Sequence, residues 1–420
     1  MRIAVWHNLS TGGGKRSLYT HVRGLVERGH RVSAWTLSER RDYLPLSGLV
    51  DERVVPMSWR ARTPGSPAGR VYGVYHNRVA RLRAMIEACR RSAEEIDAGG
   101  FDVVLVHGDE VYGMPFVPRH LRTPGAVYLH EPFRPFYEAR PVLPWVGDVT
   151  AGGSVLRRAA LAAADAARLL TDRAQAREEH RNALAAGTIL VNSFYSRESV
   201  IRTYGRDARV CYLGVDTSLF RPTGRPRERF VAGLGAVDAA KGVELAIRAV
   251  SLLPAPRPPL VWVADRATPA YRARMEEVSA ELDVDFRVRL RVTDGELVEV
   301  LNTAAALVYT SELEPFGLAP LEAAACGTPV VAVAEGGVRE TIRDGMNGFA
   351  VQRSADEVAA GLRALLDDPA LARRLGEAGA RNVEEEWSTA RGIDRLEAEL
   401  VRVAAGGPGA AGKGVRGEAE

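Results

Sequence analysis

Lysine is almost missing from this chain. Among 420 residues only Lys15, Lys241 and Lys413 carry an ammonium group, and nearly all other positive charge is arginine. A general drift toward arginine accounts for most of this. Against such a background, a lysine that remains marks a place where a compact point charge is wanted, although Lys413, in a Gly/Ala-rich tail, shows the limit of that argument. Cysteine is scarce as well. Cys89, Cys211 and Cys326 are scattered, odd in number and without C-x-x-C spacing, which argues against a disulfide framework and for a reducing cytoplasm. No run approaches eighteen apolar residues, so no membrane-spanning helix is expected. The opening MRIAVWHNLS holds too short an apolar stretch for a secretory leader. A net charge of +3 is too small to argue for nucleic acid. No D-x-D and no His/Cys cluster stands at a suitable strand end, so no metal site is expected.

What is present is the composition of an ordinary globular protein, 46% hydrophobic and 26% charged, at a length that implies about two domains. The pattern is strand, turn, helix, repeated. RIAVWHN reads as a strand that ends at LSTGGGK; RSLYTHVRGLVERG follows with helical period, and HRVSAWTL is the next strand. DVVLVHG, AVYLHEP and TILVNS are short apolar runs bounded by turn residues, the mark of buried parallel strands. Helical stretches occupy 70–97 and 154–185. Residues 214–229, rich in Pro, Gly and Arg, read as a connection, after which a second alternating series begins. Two successive α/β series predict two doubly wound Rossmann-like domains.

Ligands of such sheets bind outside the carboxyl ends of the strands, so the residues there are the candidates. LSTGGGKR places Gly12, Gly13 and Gly14 between a strand and a helix, where backbone N–H groups can approach an anion. GLGAVDAAKG puts Lys241 at a helix start. Helix polarity disfavours a cation there unless an anionic ligand is its partner. SELEPFGLAPLE puts Glu314 in a loop and Glu322 in the expected first turn of a helix begun near Pro320. Two such carboxylates can accept hydrogen bonds from sugar or ribose diols, and the N–H groups around Phe316, Gly317 and Leu318 can hold a phosphate oxygen. VYLHEPFRPFYEAR ends a strand with His130 beside Glu131, Arg134 and Tyr137, a polar-aromatic loop of the kind that lines carbohydrate sites. His107, in VLVHGDE, is a weaker candidate of the same type.

These stretches resemble the retaining, nucleotide-sugar-dependent glycosyltransferases of the GT-B fold, family four, also called glycosyltransferase group 1. EPFGLAPLEAAACGTPVVA is similar to that family's signature of two glutamates separated by seven residues, and EGGVRETIRDGMNGFAV to the pattern that follows it. ILVNSFYSRESVIRTYG, YLGVDTSLFRP and GAVDAAKGVELAIRAV resemble the end of its first domain, its linker and its phosphate-binding turn. The resemblance implies a GT-B fold of two Rossmann-like domains facing a central cleft. Its layout would be an acceptor-binding domain at 1–213, a linker at 214–229 and a nucleotide-sugar-binding domain at 230–386. A helix at 387–403 would pack back on the first domain, and 404–420 would be a disordered tail.

By the same resemblance Lys241 would contact the donor diphosphate and Glu314 the donor sugar. Phe316, Gly317 and Leu318 would line the sugar and phosphate pocket, and Glu322 would bind the ribose. Gly13 and Gly14 would face the diphosphate, and His130 would approach the sugar, making Glu314, His130 and Lys241 the catalytic set. Ala236 stands where the family usually has a second cation for the diphosphate, which shifts that load to Lys241, to backbone N–H groups and to Lys15 or Arg16. The implied reaction moves a hexosyl unit, mannosyl among the candidates, from a GDP- or UDP-sugar to a carbohydrate or lipid-linked acceptor, without metal or other cofactor and without nucleic acid. The arginine-rich helix 70–97 adds the expectation of peripheral contact with the inner face of a membrane. An epimerase of the same build, or a non-catalytic sugar-nucleotide-binding protein, are the alternatives.

Overall fold

The computed structural model describes residues 1–37, 44–61, 67–137 and 155–406; most of the expected tail, 407–420, lies outside the described residues. The chain divides into two compact units. Unit 1 comprises Met1–Val191, Arg197–Val210 and Leu396–Glu420; unit 2 comprises Asn192–Ser196 and Cys211–Arg395.

Unit 1 runs β1 (Arg2–Asn8), α1 (Gly12–Glu27), β2 (Arg31–Thr36), β3 (Asp51–Val54), α2 (Pro67–Ala98), β4 (Val103–Asp109), β5 (Gly125–Tyr128), α3 (Arg134–Tyr137), α4 (Val155–Ala185), β6 (Thr188–Val191), α5 (Phe194–Tyr204) and β7 (Arg209–Val210). Its seven strands lie in the order β3-β2-β1-β4-β5-β6-β7, with every pair parallel. β4 is buried along its whole length and β1 along all but its first residue, which is why both read as nearly unbroken apolar runs. Trp6 and Trp35 anchor the core.

Unit 2 runs β8 (Glu228–Leu234), α6 (Val243–Ser251), β9 (Leu260–Ala264), α7 (Pro269–Glu281), β10 (Phe286–Leu290), α8 (Asp294–Thr303), β11 (Ala304–Tyr309), α9 (Leu318–Ala325), β12 (Val330–Val333), α10 (Val338–Thr341), β13 (Phe349–Val351), α11 (Ala355–Asp367), α12 (Pro369–Glu386) and α13 (Thr389–Ala404), whose second half belongs to unit 1. The six strands follow the order β10-β9-β8-β11-β12-β13, again all parallel. In β8, Gly233 lies flat under the ring of Trp262, which a Cβ would penetrate. The indole N–H of Trp262 then reaches the Gly235 carbonyl at 2.8 Å. Each unit is thus a doubly wound Rossmann-like sheet. Strand order reverses beside β1 and β4 in one and beside β8 and β11 in the other, and crevices at the carboxyl ends of such switch points take ligands.

Three local expectations shift. α1 starts at Gly12, so the glycines form its first turn and not a preceding loop; Thr11 is extended at the N-cap without donating or accepting a side-chain cap bond. Lys241 does not open a helix. It closes a short 3-10 turn, Ala239–Lys241, and Gly242 in the left-handed region (φ +65°) separates it from α6. Finally, α9 starts at Leu318 because Gly317 adopts φ +85° as its N-cap. That moves Glu322 from the first turn to the second, where it is buried.

Candidate functional site

At the carboxyl edge of the unit 2 sheet, three loops are stitched into one surface. The turn that follows β8 is bonded to the loop that follows β11: the Glu312 N–H donates to the Ala240 carbonyl (2.8 Å), and the Thr310 hydroxyl to that of Gly242 (2.9 Å). Only glycine fits at 242, since a Cβ would overlap the Thr310 carbonyl oxygen. The loop after β12 closes the arrangement. The Gly337 N–H donates to the Glu314 carbonyl at 2.9 Å, and a Cβ on Gly336 or Gly337 would overlap the Glu314 or Pro315 carbonyl oxygen. Leu313 sits at φ +45°, strained backbone for a branched residue, directly before Glu314.

This stitching brings Lys241 and Glu314 together. The Lys241 ammonium donates to Glu314 Oε2 at 2.5 Å, and the Ser311 hydroxyl donates to the same oxygen at 3.1 Å. Both side chains are about a quarter exposed. Tyr309 lies behind them, buried. Burial first, then the charge of Glu314, with Glu322 adding to it, drives its hydroxyl far above the ordinary phenol range. Tyr309 thus stands between the two glutamates of the signature. Phe316 points elsewhere: its ring is buried in a cluster with Tyr212 and Trp387, so its side chain serves the loop's anchorage.

Two supporting residues were not singled out from the sequence. The Arg353 guanidinium forks onto Glu335 (2.8 and 2.7 Å) and donates to the carbonyls of Thr310 (3.0 Å) and Ser311 (2.7 Å), pinning the end of β11. It also holds the Glu335 carboxyl below its usual range. Arg353 follows β13, so the strand-end rule applied once more would have reached it. Within unit 2, to which the first three residues of α5 belong, Glu340 accepts from the N–H groups of Phe194 (2.9 Å) and Tyr195 (3.0 Å) and from the Tyr212 hydroxyl (2.8 Å), which fixes the start of that helix.

The matching edge of unit 1 is built from buried imidazoles. His7 ends β1, His107 lies in β4, His130 follows β5 and His21 comes from α1. His21 Nδ1 and His107 Nε2 are 3.4 Å apart, and His107 stacks on Tyr128. Burial depresses all four, His21 to about 3 and His130 to about 4, so these rings are neutral at physiological pH. Gly14 lies against the His130 ring, where a Cβ would be 3.7 Å away, and Gly13 faces open space. Lys15 is buried, with its ammonium pKa lowered by that burial and supported by the charge of Glu52. Asp109, the last residue of β4, accepts from Asn8 (2.8 Å) and from the N–H groups of Val111 (2.7 Å) and Tyr112 (2.8 Å); burial nonetheless pushes it up to about 6. Among the described residues, no three His, Cys, Asp or Glu side chains gather as a metal site.

Known families match both halves. Residues 11–219 match Glycosyltransferase Family 4 and residues 216–382 match Glycosyl transferases group 1, which between them run from 11 to 382. The chain belongs to the family 4, group 1 glycosyltransferases. Among curated relatives of this family, the D-inositol 3-phosphate glycosyltransferase of Streptomyces avermitilis is 32% identical over 232 residues, 49% of this chain and 50% of that one. The alpha-maltose-1-phosphate synthase of Mycobacterium tuberculosis is 30% identical over 240 residues, 50% of this chain and 62% of that one. The match thus spans about half to three fifths of the length of these curated relatives. In fold, the sucrose-phosphate synthase of Thermosynechococcus elongatus aligns over 97% of this chain and 100% of its own with a TM-score of 0.71, at 19% identity.

Within this family signature the structure gives each part a local reason. The glutamates differ in exposure, Glu314 at the surface and Glu322 buried, and the paired glycines 336 and 337 are the footing on which the Glu314 loop rests. Ala236, where the resemblance leads one to expect a cation, is buried in the turn, and Arg266, just after β9, lies 3.6 Å from Asp238 of that turn.

Proposed function

We propose that this chain transfers a hexosyl unit from a nucleoside-diphosphate sugar to an acceptor hydroxyl, with retention of anomeric configuration and without a metal ion. The observation that carries this reading is the Lys241–Glu314 pair, held by three loops at the β8/β11 switch point of a family 4 glycosyltransferase. In the structure Lys241 and Glu314 satisfy each other's charge, which avoids leaving either one unpaired in a partly desolvated setting. A donor would exchange that bond for two better ones. The Lys241 ammonium turns to the diphosphate, and the Glu314 carboxylate accepts from hydroxyls of the sugar. Glu322 accepts from the ribose, and the N–H groups at the start of α9 face the phosphate oxygens.

As the glycosidic C–O bond breaks, negative charge grows on the departing diphosphate, and a fixed ammonium there lowers the barrier more than it stabilises the bound donor. Glu314 positions the sugar and is not a nucleophile. A diphosphate oxygen takes the acceptor proton on the same face of the ring, which retains the configuration. Gly13, Gly14 and His130 are proposed as the contribution of unit 1, through backbone N–H groups and a neutral imidazole. The loop HEPFR resembles a subgroup with HxPxR at this place, several members of which use GDP-mannose, and this keeps a mannosyl donor among the candidates; the curated relatives, which differ in what their names say they make, favour an acceptor of sugar or polyol type.

A thermal-shift panel with UDP-, GDP- and ADP-sugars tests the proposal. One base series raising Tm by several degrees, followed by transfer to a polyol or sugar acceptor, is the expected outcome. Flat melting across the panel would sink it, and turnover of the sugar without any acceptor would replace it with an epimerase.

A further inference from the structure

His130 rides on a segment that has its own foundation. After β5 the chain runs through Glu131, Pro132 and Phe133 into α3, and the foundation is a buried carboxyl on α4. Glu179 has no exposed surface. Its Oε1 accepts from Gln175 Nε2 at 2.9 Å, and its Oε2 accepts from the Tyr204 hydroxyl of α5 at 3.3 Å. The Tyr204 ring in turn meets that of Tyr137, the last residue of α3, edge to face at 5.6 Å. On the other side lies Gly113, in the left-handed region (φ +59°). A Cβ there would stand 3.4 Å from Glu179 Oε2 and 3.0 Å from Phe133 Cβ, so the loops after β4 and β5 both close down on this carboxyl. No salt bridge reaches Glu179 among the described residues. The titratable groups that face it are Tyr204 from α5, Tyr137 from α3 and Asp109 from β4.

We propose that Glu179 is a positioning residue: a neutral buried carboxyl, packed through Tyr204 against Tyr137, that fixes the 130–137 segment and with it the imidazole of His130. The role rests on reading His130 as a site residue. A buried carboxyl without a cation keeps its proton, and burial pushes this one up to about 8. The neutral acid accepts from Gln175 and Tyr204 and leaves no unbalanced charge among these packed groups. The carboxylate carries one, and it repels Asp109 across the same space. The 130–137 segment is therefore held at pH 7 and loosened by pH 9.

Hydrogen exchange of the full chain, corrected for intrinsic rates, tests this without substrate. In the wild type, amides of 130–137 lose about tenfold in protection between pH 7 and pH 9, while β4 amides (103–106) do not. In Glu179→Gln, neutral at both values, that loss disappears; in Tyr204→Phe, protection of the segment is reduced at pH 7 already. Where an active donor and acceptor are in hand, kcat of the wild type falls along the same alkaline limb and that of Glu179→Gln does not. Protection of 130–137 that is independent of pH in the wild type overturns the proposal, as does the same loss in Glu179→Gln, or a parallel loss in β4. The wild-type pair of measurements stands even if a variant fails to fold. Absence of transferase activity would count against the proposed reaction and leave the exchange result to decide this proposal.

Discussion

The polar groups at the carboxyl edge of the unit 2 sheet are charged and paired: Lys241 with Glu314, Arg353 with Glu335. At the corresponding edge of unit 1 they are mostly neutral and buried: four histidines, the raised carboxyl of Asp109, and Glu179 one layer below. The first edge is organised by backbone, through glycines that let three loops touch. The second is organised by side-chain burial. The difference bears on how each edge responds to change. A paired charge reacts to losing its partner, whereas a buried neutral group reacts to pH.

The largest effect separates the edges by chemistry. Lys241→Ala should lower kcat/KM by about 100- to 1000-fold, because the proposed reading gives Lys241 the diphosphate contact and Ala236 offers no substitute. Steady-state kinetics with a saturating acceptor checks this, and a loss under tenfold would shift the burden to another cation. Next is the backbone footing of unit 2. Gly336→Ala places a methyl against the Glu314 carbonyl at φ +57° and should cost about 2–4 kcal/mol in urea unfolding. A neutral result would mean that the loop has room to retreat.

The third test turns on pH. Folded unit 1 binds fewer protons than the unfolded chain at its histidines. Stability from His21 and His130 is therefore present above pH 6.5 and lost as pH falls toward about 4 and about 3. At Glu179 and Asp109 the sign is reversed. Their folded pKa values are raised, so the stability they contribute is full below the ordinary carboxylate range and is lost as pH rises through about 6 and about 8. In unit 2, Glu335 is depressed by Arg353 and contributes stability above its unfolded pKa that is lost only on acidification. Exchange measured from pH 7 to pH 9 should thus loosen the 130–137 segment of unit 1, with β4 (103–106) held, and spare the loops of unit 2; equal loosening of both edges would dissolve the contrast. The smallest effect is at Gly13, where an added Cβ meets nothing within 4 Å. Gly13→Ala should leave stability within about 0.5–1 kcal/mol while reducing turnover if a ligand approaches that backbone.

How much of this was legible in the sequence follows from the same contrast. The fold was readable because parallel strands buried on both faces leave short apolar runs between turn residues, as in DVVLVHG. The unit 2 edge was readable because its glycines and acids are close in sequence and dense in motif. What escaped were contacts made at a distance along the chain. Arg353 reaches back 43 residues to Thr310, and Glu340 reaches 146 to Phe194. Helix starts slipped where a left-handed glycine, 242 or 317, reset the boundary. Glu179 was invisible because a glutamate in an Ala- and Arg-rich helix reads as solvated, and only the tertiary packing of Tyr204 and Gly113 shows otherwise.

The central claim is that Lys241 and Glu314 hold different parts of one nucleotide-sugar. Calorimetry of Glu314→Gln against the wild type, with a nucleoside diphosphate and with its sugar derivative, tests it most directly. The account predicts that the variant binds the diphosphate at least as tightly as the wild type, because Lys241 is freed from its partner, while the additional affinity conferred by the sugar is lost. Equal loss for both ligands, or no loss for either, would contradict it.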